Sequence, residues 1–372
     1  MKELPQIEDL RSLFLSDVPL LDVRAPVEFA QGAFPHSENH PLIDDAEREQ
    51  IGKQYKHLGQ DAAIDLGHEL VQGEKKHARI AQWQDFAQQH PEGVLYCFRG
   101  GMRSKISQQW LYEETGILYP RVKGGYKAMR SFLLEELEAA AREVNAIVLG
   151  GRTGVGKTVL LHQLQPMVDL EHLAWHRGSA FGPHATPQPR QIAFENALSI
   201  ELLKIRANGN PPFVVEDEHR NVGSCFIPDA IRDRFRDSPL VILEASLEER
   251  VAITHQEYID EALAEHMALY GEEQGFEKWA AYLLGSMDKI KKRLGGVRHA
   301  ELRKVLEEAI EVHRRTGETG QHRGWIGELL GGYYDPMYDY QIRQNTKQIA
   351  FAGERRAVID YLHEQGIRYR GE

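Results

Sequence analysis

A cysteine and an arginine, Cys97 and Arg103, stand at the two ends of a short glycine-containing segment. Paired glycines take backbone angles that other residues avoid, so this segment can curl with its amide N–H groups pointing at the sulfur. Such a ring of donors favours the nucleophilic thiolate, and a planar guanidinium matches a tetrahedral oxyanion. The segment predicts an oxyanion-binding loop with Cys97 and Arg103 as catalytic residues. The loop residues between them are Phe98, Arg99, Gly100, Gly101 and Met102, of which Arg99 can equally face solvent or RNA.

Residues 151–158 match the eight-position Walker A pattern of a phosphate-binding loop. In this pattern the glycines bring backbone amides against phosphate oxygens, Lys157 adds a positive charge, and the Thr158 hydroxyl can bind Mg²⁺. The motif predicts a polyphosphate ligand and does not require that ligand to be ATP. The predicted diphosphate-binding residues are Gly151, Thr153, Gly154, Val155, Gly156, Lys157 and Thr158.

Three consecutive acids, Glu216, Asp217 and Glu218, follow a short apolar run and resemble a Walker B segment. Carboxylates in this position hold Mg²⁺ through water. We assign Thr158 and Asp217 as the Mg²⁺ ligands, although any of the three acids fits the pattern and a surface acidic turn is the alternative. Mg²⁺ is the one candidate ion, and no covalently bound cofactor is expected.

Short apolar runs precede both loops, and helical patterns follow them. A strand, a glycine-rich turn and a helix form the unit of a parallel α/β sheet. Further strands are predicted at 212–215 and 240–244, and a capping box at 246–249 predicts the start of a helix. The predicted fold class is α/β: a parallel-sheet domain at 1–135, a P-loop NTPase-like core at 136–245, and a mainly helical extension at 246–372 that completes the second domain.

The composition is that of an ordinary globular protein, with 42% apolar and 27% charged residues among 372. No apolar stretch approaches the ~20 residues that a membrane helix needs, so no membrane partner is expected. Residues 1–5 lack the basic start and apolar core of a signal peptide. Two cysteines cannot form a disulfide framework. The chain is expected to be cytoplasmic.

The net charge of −11 gives no general attraction for nucleic acid. RNA binding would need a local basic surface, and the densest basic stretch is 289–304. Its candidate RNA-binding residues are Lys291, Lys292 and Arg293. A solvated helix face explains the same charge pattern equally well.

The first half of the chain resembles a rhodanese domain. The resemblance rests on residues 22–24, 28–29, 32, 34–36 and 122–126, together with the Cys97 loop. Common sulfur-transferring rhodaneses have four residues between the cysteine and the arginine, whereas Cys97 and Arg103 enclose five. The longer loop is similar to that of rhodanese-fold phosphatases and arsenate reductases. A wider ring should accept a phosphate-sized group.

A rhodanese-like domain followed by a P-loop domain resembles the tRNA 2-selenouridine synthase family. Local segments at 172–182, 188–191, 194–196, 216–220 and 333–338 add to the resemblance, which extends from about residue 22 to residue 340. It implies a tRNA-modifying transferase that converts wobble 2-thiouridine to 2-selenouridine, with selenophosphate as the selenium donor. It also implies S-geranylation of the thiouridine from geranyl diphosphate as the preceding step.

The implied substrates and partners are therefore tRNA, selenophosphate and geranyl diphosphate. A transient contact with a selenophosphate-producing enzyme is a further candidate. Selenophosphate suits the Cys97 loop, and geranyl diphosphate suits the P-loop without nucleotide hydrolysis. We expect the thiolate of Cys97 to attack selenium and form a cysteine-bound selenium intermediate, while the loop amides and Arg103 stabilise the departing phosphate.

Two other function classes fit the two loops. The first is a rhodanese-fold phosphatase or arsenate reductase fused to a small-molecule kinase, which would leave His172, Trp175, His176 and Arg177 without an obvious role. The second is a nucleotide-gated redox sensor with Cys97 as the sensing thiol. Cys225 would be the resolving partner in that case, but its apolar surroundings favour a buried structural cysteine.

Overall fold

The structure is a computed structural model that describes residues 4–344 and 348–370, apart from the side chains at 341, 343 and 344. The outer limits of the predicted domains, residues 1 and 372, lie outside the described residues. The same holds for residues 1–3 of the N-terminal segment that lacks signal-peptide features. The chain folds as two compact units. One comprises Met1–Ala140 and Arg190–Ala207, and the other comprises Ala141–Pro189 and Asn208–Glu372.

The strands follow the short apolar runs of the sequence, and helices lie between them. The strands are β1 (Gln6–Ile7), β2 (Leu20–Asp22), β3 (Ser37–Asn39), β4 (Val94–Tyr96), β5 (Arg121–Val122), β6 (Ala146–Gly151), β7 (Leu164–Gln165), β8 (Met167–Val168), β9 (Phe213–Glu216), β10 (Asn221–Val222), β11 (Cys225–Phe226), β12 (Leu240–Glu244), β13 (Ile349–Glu354) and β14 (Arg368–Tyr369).

The helices are α1 (Leu10–Leu15), α2 (Pro26–Gln31), α3 (Asp45–Leu70), α4 (Gly73–Gln89), α5 (Met102–Thr115), α6 (Gly125–Glu143), α7 (Lys157–Leu161), α8 (Leu170–Ala174), α9 (Gln191–Ala207), α10 (Asp229–Arg236), α11 (Leu247–His255), α12 (Ala262–Tyr270), α13 (Glu272–Lys289), α14 (Lys291–Leu294), α15 (Gly296–Thr316), α16 (His322–Leu329), α17 (Asp335–Gln344) and α18 (Arg355–Glu364). Two π-helical turns, Gln256–Glu261 and Leu330–Tyr334, interrupt the helical region.

The first unit contains a parallel sheet in the order β1-β5-β4-β2-β3. Successive residues of a strand face opposite sides of a sheet, and both sides are covered here. Leu20 and Val94 pack with α1, α6 and α9 on one face, while Leu21 and Leu95 pack with α4 and α5 on the other. The loops after β2 and β4 therefore meet at one edge of a buried sheet.

The second unit contains a parallel sheet in the order β13-β12-β6-β9-β8. The pairs β7–β14 and β10–β11 are antiparallel. Because β6 and β9 are parallel neighbours, the loop after β6 and the acids that follow β9 lie at the same edge of the sheet. The predicted α/β class and its parallel sheets are confirmed.

Local signals placed several elements correctly. β12 spans Leu240–Glu244, as the sequence predicts, and α11 begins with the predicted capping box. The Ser246 N–H donates to the Glu249 carboxylate at 2.8 Å, and the Glu249 N–H donates to the Ser246 hydroxyl at 3.3 Å. Reciprocal capping of this kind satisfies backbone groups that the first helical turn leaves unpaired.

The segment predicted as a mainly helical extension contains α11–α18 and, in addition, the strands β13 and β14. β13 pairs in parallel with β12, so that Val241 faces Phe351 and Leu243 faces Gly353. An edge strand rich in small residues, with much of its surface exposed, lacks the apolar pattern of a buried strand. Pairing with β12 rather than local sequence therefore makes this segment a strand.

One helix lies outside the unit to which the sequence analysis assigned it. The predicted P-loop core spans residues 136–245 and so includes α9, whereas α9 belongs to the first unit. Ile200 and Leu203 of α9 pack into the first unit's core, and Asn196 accepts a hydrogen bond from Arg130 at 2.8 Å. No helix in the described part of the chain is both long and apolar enough to cross a lipid bilayer.

Candidate active sites

Cys97 lies directly after β4, which is flanked by β5 and β2 in the sheet of the first unit. It is a free cysteine with only 3% of the residue exposed. The thiol donates to the Ser104 hydroxyl at 3.2 Å, and that hydroxyl donates to the Gly101 carbonyl oxygen at 3.1 Å. Ser104 therefore orients the thiol, although the sequence analysis gave Ser104 no role.

The Cys97 loop is pressed against the start of α6 by two glycines with positive φ. Gly100 has φ of 62° and Gly125 has φ of 58°. A Cβ atom on Gly125 would overlap the Cys97 carbonyl oxygen and the Gly100 nitrogen. The Cys97 carbonyl oxygen accepts from the Tyr126 N–H at 2.9 Å. The resemblance included residues 122–126, and their role here is to support the back of the loop.

The backbone N–H groups of residues 98–102 have no protein acceptor among the residues that the structure describes. Successive unpaired N–H groups in one curled loop form a concavity that binds anions. Phe98, Arg99 and Met102 are exposed, and the ring of Phe98 stacks on Tyr126 with centroids 5.9 Å apart. This geometry supports the predicted oxyanion loop, which stays a prediction.

Arg103 is held by Glu28, a residue that the sequence analysis named only as part of the resemblance. The guanidinium donates to both Glu28 oxygens, at 2.5 and 3.0 Å. Burial alone would raise the pKa of Glu28, but the hydrogen bonds and charge of Arg103, the Ala25 N–H and the charge of Arg48 hold that pKa below its ordinary value. The Glu28 carboxylate therefore stays ionised and fixes the position of Arg103.

The P-loop joins the carboxyl end of β6 to the N-terminus of α7. Gly154 and Gly156 have φ of 76° and 83°, which L side chains rarely adopt. Lys157 Nζ lies 3.5 Å from the Gly151 carbonyl oxygen. Within the described residues, the N–H groups of 156–158 have no protein acceptor. These groups, a lysine and a helix N-terminus suit a phosphate anion.

Two residues outside the motif hold the P-loop in place. Arg250 of α11 is buried and donates to the Thr153 carbonyl oxygen at 3.0 Å. Its guanidinium also donates to both oxygens of Asp335, at 3.0 and 2.7 Å. Asp335 belongs to the segment at 333–338 that carried part of the resemblance, so this contact gives that segment a structural role.

The Thr158 hydroxyl donates to the Glu171 carboxylate at 3.0 Å. Asp217 follows β9, and its carboxylate lies close to Gly150 of β6, the strand that leads into the P-loop. A Cβ atom built on Gly150 would be 3.4 Å from that carboxylate. The predicted Mg²⁺ ligands are Thr158 and Asp217, and Glu171 was not among the predicted site residues. Nothing in the sequence indicates a role for Glu171, because its contact with Thr158 depends on how α8 packs.

Several carboxylates converge beside the P-loop. Burial, followed by repulsion from neighbouring carboxylates, raises the pKa of Glu216 and of Glu218 well above the ordinary value. Burial likewise raises the pKa of Glu171, although Lys157 opposes the shift. Glu216 is 1% exposed, and among the described residues its Oε1 has no hydrogen-bond partner.

Crowded oxygen donors with one unpaired buried oxygen suit a hard cation such as Mg²⁺. The described part of the chain nevertheless holds no group of three or more His, Cys, Asp or Glu residues arranged to bind a metal ion. Mg²⁺ at this place would therefore need oxygens of a bound phosphate or of water to complete its coordination. The assignment of Thr158 and Asp217 stays a prediction.

The P-loop opens into a cavity of about 1280 Å³ within the second unit. Both π-helical turns line it, which agrees with the frequent occurrence of π-turns at functional sites. Burial, followed by the nearby charge of Glu171, raises the pKa of Glu257 to about 8. This volume exceeds the roughly 300–1,000 Å³ of ordinary small-molecule pockets. Its lining includes Lys157, Trp175, Arg177, Tyr333, Met337 and Arg293.

The candidate RNA-binding residues are exposed, whereas Cys225 is buried. Lys291, Lys292 and Arg293 are exposed, and none forms an ion pair within the described residues. Further along the same basic stretch, Arg303 pairs with Asp288 at 3.1 Å. Cys225 is buried in the β10–β11 hairpin, and burial raises the pKa of its thiol. Cys225 therefore has the surroundings of a structural cysteine.

Comparisons with known proteins agree with one of the three function classes. The family model described as the tRNA 2-selenouridine synthase AAA domain matches residues 144–368. Proteins named tRNA 2-selenouridine synthase from Bordetella petrii and Bordetella bronchiseptica are 52% and 53% identical, with alignments covering 95% and 96% of this chain and 95% and 97% of theirs. One from Pseudomonas fluorescens is 52% identical over 97% of this chain and 98% of its own. The chain belongs to the tRNA 2-selenouridine synthase family and is a tRNA-modifying transferase.

Proposed function

We propose that this chain converts wobble 2-thiouridine in tRNA to 2-selenouridine in two steps. The P-loop cavity transfers a geranyl group from geranyl diphosphate to the thiouridine sulfur, and the Cys97 loop then releases selenium from selenophosphate to replace that sulfur. The observation that carries the proposal is that each loop has a run of backbone N–H groups, 98–102 and 156–158, without a protein acceptor in the described residues. The Cys97 loop suits the tetrahedral selenophosphate anion, and the P-loop suits a diphosphate.

The first step belongs to the second unit. The thiouridine sulfur attacks the first carbon of the geranyl group, the C–O bond breaks, diphosphate leaves, and the ring loses its N3 proton. Lys157 and the N–H groups at the start of α7 stabilise the leaving diphosphate. Mg²⁺, when bound, would neutralise further charge on the diphosphate, with Thr158 and Asp217 as the residues that hold it.

The second step belongs to the first unit, which we propose to be a rhodanese-like domain. Attack of Cys97 on selenium would leave the bonding electrons on phosphorus and release phosphite. Attack of Cys97 on phosphorus is redox-neutral: the P–Se bond breaks, selenide leaves with the electron pair, and water later hydrolyses the phosphocysteine to phosphate. We therefore replace the expected attack on selenium by attack on phosphorus. The five-residue loop and Arg103 suit the phosphoryl oxygens of this transition state.

Selenide then adds to the ring carbon that bears the S-geranyl group. Geranyl thiol leaves with the electron pair of the C–S bond, and the product ring regains a proton at N3. Alkylation makes this exchange feasible, because a thioether sulfur leaves as a thiol whereas the sulfur of the unmodified thiouridine is a poor leaving group. The two steps thus explain why one chain carries both loops.

The test uses the full chain, an anticodon stem–loop RNA containing 2-thiouridine, geranyl diphosphate and selenophosphate, with mass analysis of the RNA. The wild type should give the geranylated RNA first and the selenated RNA after selenophosphate is added. Lys157→Ala should block geranylation while leaving phosphate release from selenophosphate intact. Cys97→Ser should block phosphate release and selenation while leaving geranylation largely intact.

Loss of both activities in a folded Cys97→Ser protein would contradict the assignment of one step to each loop. Geranylation at the wild-type rate by Lys157→Ala would remove the P-loop from the proposal. Acid-quenched intact-protein mass spectrometry separates the two attacks on selenophosphate. A phosphate adduct on Cys97 supports attack on phosphorus, and a selenium adduct overturns it.

A further inference from the structure

Trp175 has an unusual backbone conformation at the edge of the P-loop cavity. It follows α8 and adopts the left-handed region, with φ of 52° and ψ of 54°. Bulky residues rarely adopt this region, and strained residues persist where the surrounding structure holds them, most often at functional sites. The Trp175 N–H donates to the His172 carbonyl oxygen at 2.9 Å. The turn after α8 therefore fixes where the indole emerges.

The indole is clamped on one face and at its edge. Its Nε1–H donates to the Thr186 hydroxyl at 2.7 Å. The ring of His184 stacks on the indole, with centroids 4.1 Å apart and an interplanar angle of 20°. Trp175 is only half-buried and lines the cavity, so the clamped ring is presented to the interior of the cavity.

Glu265 of α12 holds the segment behind the indole. Its carboxylate contacts His184 Nδ1 at 3.1 Å and accepts from the Ala185 N–H at 3.0 Å. It also accepts from the Arg177 guanidinium at 2.8 Å. One carboxylate thus fixes both the ring that backs Trp175 and a cation of the cavity wall. Such support is not needed for an indole whose only role is packing.

The same short helix links the indole to the P-loop. Glu171 lies in α8, four residues before Trp175, and its carboxylate accepts from the Thr158 hydroxyl. A ring stacked on Trp175 would therefore share the cavity with a diphosphate bound at the P-loop. Alkylation of a nucleobase by a prenyl diphosphate requires both groups in one cavity.

We propose that Trp175, backed by His184, is the platform on which the uracil ring of the target nucleotide stacks. This inference rests on the proposed geranyl transfer in the second unit. His172 contacts the indole edge to face, with centroids 6.2 Å apart, and the polar residues His176 and Arg177 line the same cavity. Such polar neighbours suit a ring that carries carbonyl and thiocarbonyl groups. The apolar residues of the lining, such as Tyr333 and Met337, pack with the helical core and suit the hydrocarbon chain instead.

The test compares the binding of two anticodon stem–loop RNAs, identical except that one carries 2-thiouridine and the other an abasic nucleotide at the wobble position. Neither donor is present, so the result does not depend on either chemical step. The wild type should bind the thiouridine RNA more tightly, by roughly 5- to 150-fold, the range expected for stacking one base on an aromatic ring. Trp175→Ala should abolish this difference, and Trp175→Phe should retain part of it.

Variants of His184 test whether the ring behind the indole matters, and geranyl diphosphate binding tests whether the diphosphate site is intact. His184→Ala should weaken the discrimination and His184→Phe should restore it, because a phenyl ring can back the indole as the imidazole does. Tyr55→Ala removes an exposed aromatic residue of the other unit and serves as the control. The affinity for geranyl diphosphate, measured by calorimetry, should be unchanged in every Trp175 variant.

Unchanged discrimination between the two RNAs in Trp175→Ala would overturn the proposal. A loss of geranyl diphosphate affinity in that variant, with or without loss of discrimination, would also overturn it, because the hydrocarbon chain would then occupy the indole. If the wild type shows Trp175-dependent discrimination but no geranyl transfer, the platform stands and the proposed function fails.

Discussion

Arg103 and Glu28 form a two-point ion pair, with the guanidinium donating to both carboxylate oxygens at 2.5 and 3.0 Å. Glu28 lies in α2, whose first turn it also caps by accepting from the Ala25 N–H at 3.1 Å. The arginine that faces the oxyanion loop is thereby anchored to a separate element of the first unit. This anchoring keeps the guanidinium in one orientation before any substrate binds.

Replacing Glu28 should therefore impair both stability and the chemistry of Cys97. Glu28→Ala leaves the largely buried Arg103 without its counter-charge, and we expect a loss of about 3 kcal/mol in the stability of the first unit. Phosphate release from selenophosphate should fall at least tenfold, because Arg103 is no longer oriented. Glu28→Gln, which keeps the shape and one acceptor, is the matched control and should lose less. Wild-type phosphate release by Glu28→Ala would show that this orientation is unnecessary.

The ion pair between Glu28 and Arg103 should make the chain less stable as the pH falls. The pKa of Glu28 is lower in the folded chain than in the unfolded chain. Its contribution to stability is therefore complete above the unfolded value, near 4.3, and is lost as the pH falls through the folded value. Unfolding measured from pH 6 to pH 3 should become less pH-dependent in Glu28→Gln than in the wild type.

Gly125→Ala should disable the Cys97 loop without touching any reacting group. The added Cβ would overlap the Cys97 carbonyl oxygen and the Gly100 nitrogen, and φ of 58° disfavours any side chain at this position. We expect phosphate release to fall by at least tenfold, with geranylation in the second unit unchanged. Gly52→Ala, in α3 of the same unit and with open space around its Cβ, is the control. Equal activity of the two variants would contradict the tight approach of α6 to the loop.

His322 should make the second unit sensitive to mild acid. Burial lowers its pKa to about 3, and the charges of His313 and His255 act in the same direction. The ring is neutral when folded, so below pH 6.5 the unfolded chain binds a proton that the folded chain does not, and stability falls as the pH falls. The loss between pH 7 and pH 5 is about 2 kcal/mol for this residue.

Thermal unfolding across that range should show a shallower pH dependence in His322→Gln than in the wild type, whatever its absolute stability. His57→Gln, at an exposed position in the first unit, is the control. Parallel pH profiles of His322→Gln and the wild type would mean that the imidazole is protonated in the folded chain. Its ring Nδ1 lies 3.1 Å from the Trp325 Nε1, which agrees with an unprotonated acceptor at that nitrogen.

Replacing Lys291, Lys292 and Arg293 together by Ala should weaken tRNA binding and flatten its salt dependence. Each cation that neutralises a phosphate releases a condensed counterion, so the slope of log K against log salt should fall by roughly one to three units. Arg303→Ala with Lys304→Ala is the matched control, because these side chains already pair with Asp288, Glu307 and Glu308. Phosphate release from selenophosphate needs no RNA and should survive. Identical salt slopes for the triple variant and the wild type would show that residues 291–293 form a solvated helix face that does not contact RNA phosphates.

The order of strands, glycine turns and helices could be predicted from the sequence because these signals are local. The apolar run at 240–244 and the Ser246–Glu249 capping box gave their elements correctly. The two loops were found for the same reason, since their glycines, Lys157 and Cys97 are close together in the sequence. Family membership followed from the combination of the loops, and the comparisons confirm it.

Contacts between residues far apart in the chain were not available from the sequence. Glu28 reaches Arg103 across 75 positions, and Arg250 reaches Asp335 across 85. These hydrogen bonds join residues of separate helices, α2 with α5 and α11 with α17, which come together only in the packed fold. No residue spacing in the sequence indicates them. The assignment of α9 to the first unit and of β13 to the second sheet has the same origin, because packing against a distant partner decides each.

The sequence by itself determined which groups can do chemistry: a thiol in a glycine loop, a lysine in a phosphate loop, and acids after a strand. Tertiary structure decided which partner each group has, so that Thr158 meets Glu171 and Trp175 is clamped between His184 and Thr186. The physical reason is that residue type sets the intrinsic reactivity of a side chain. Its orientation, burial and charge environment come instead from neighbours that the fold supplies.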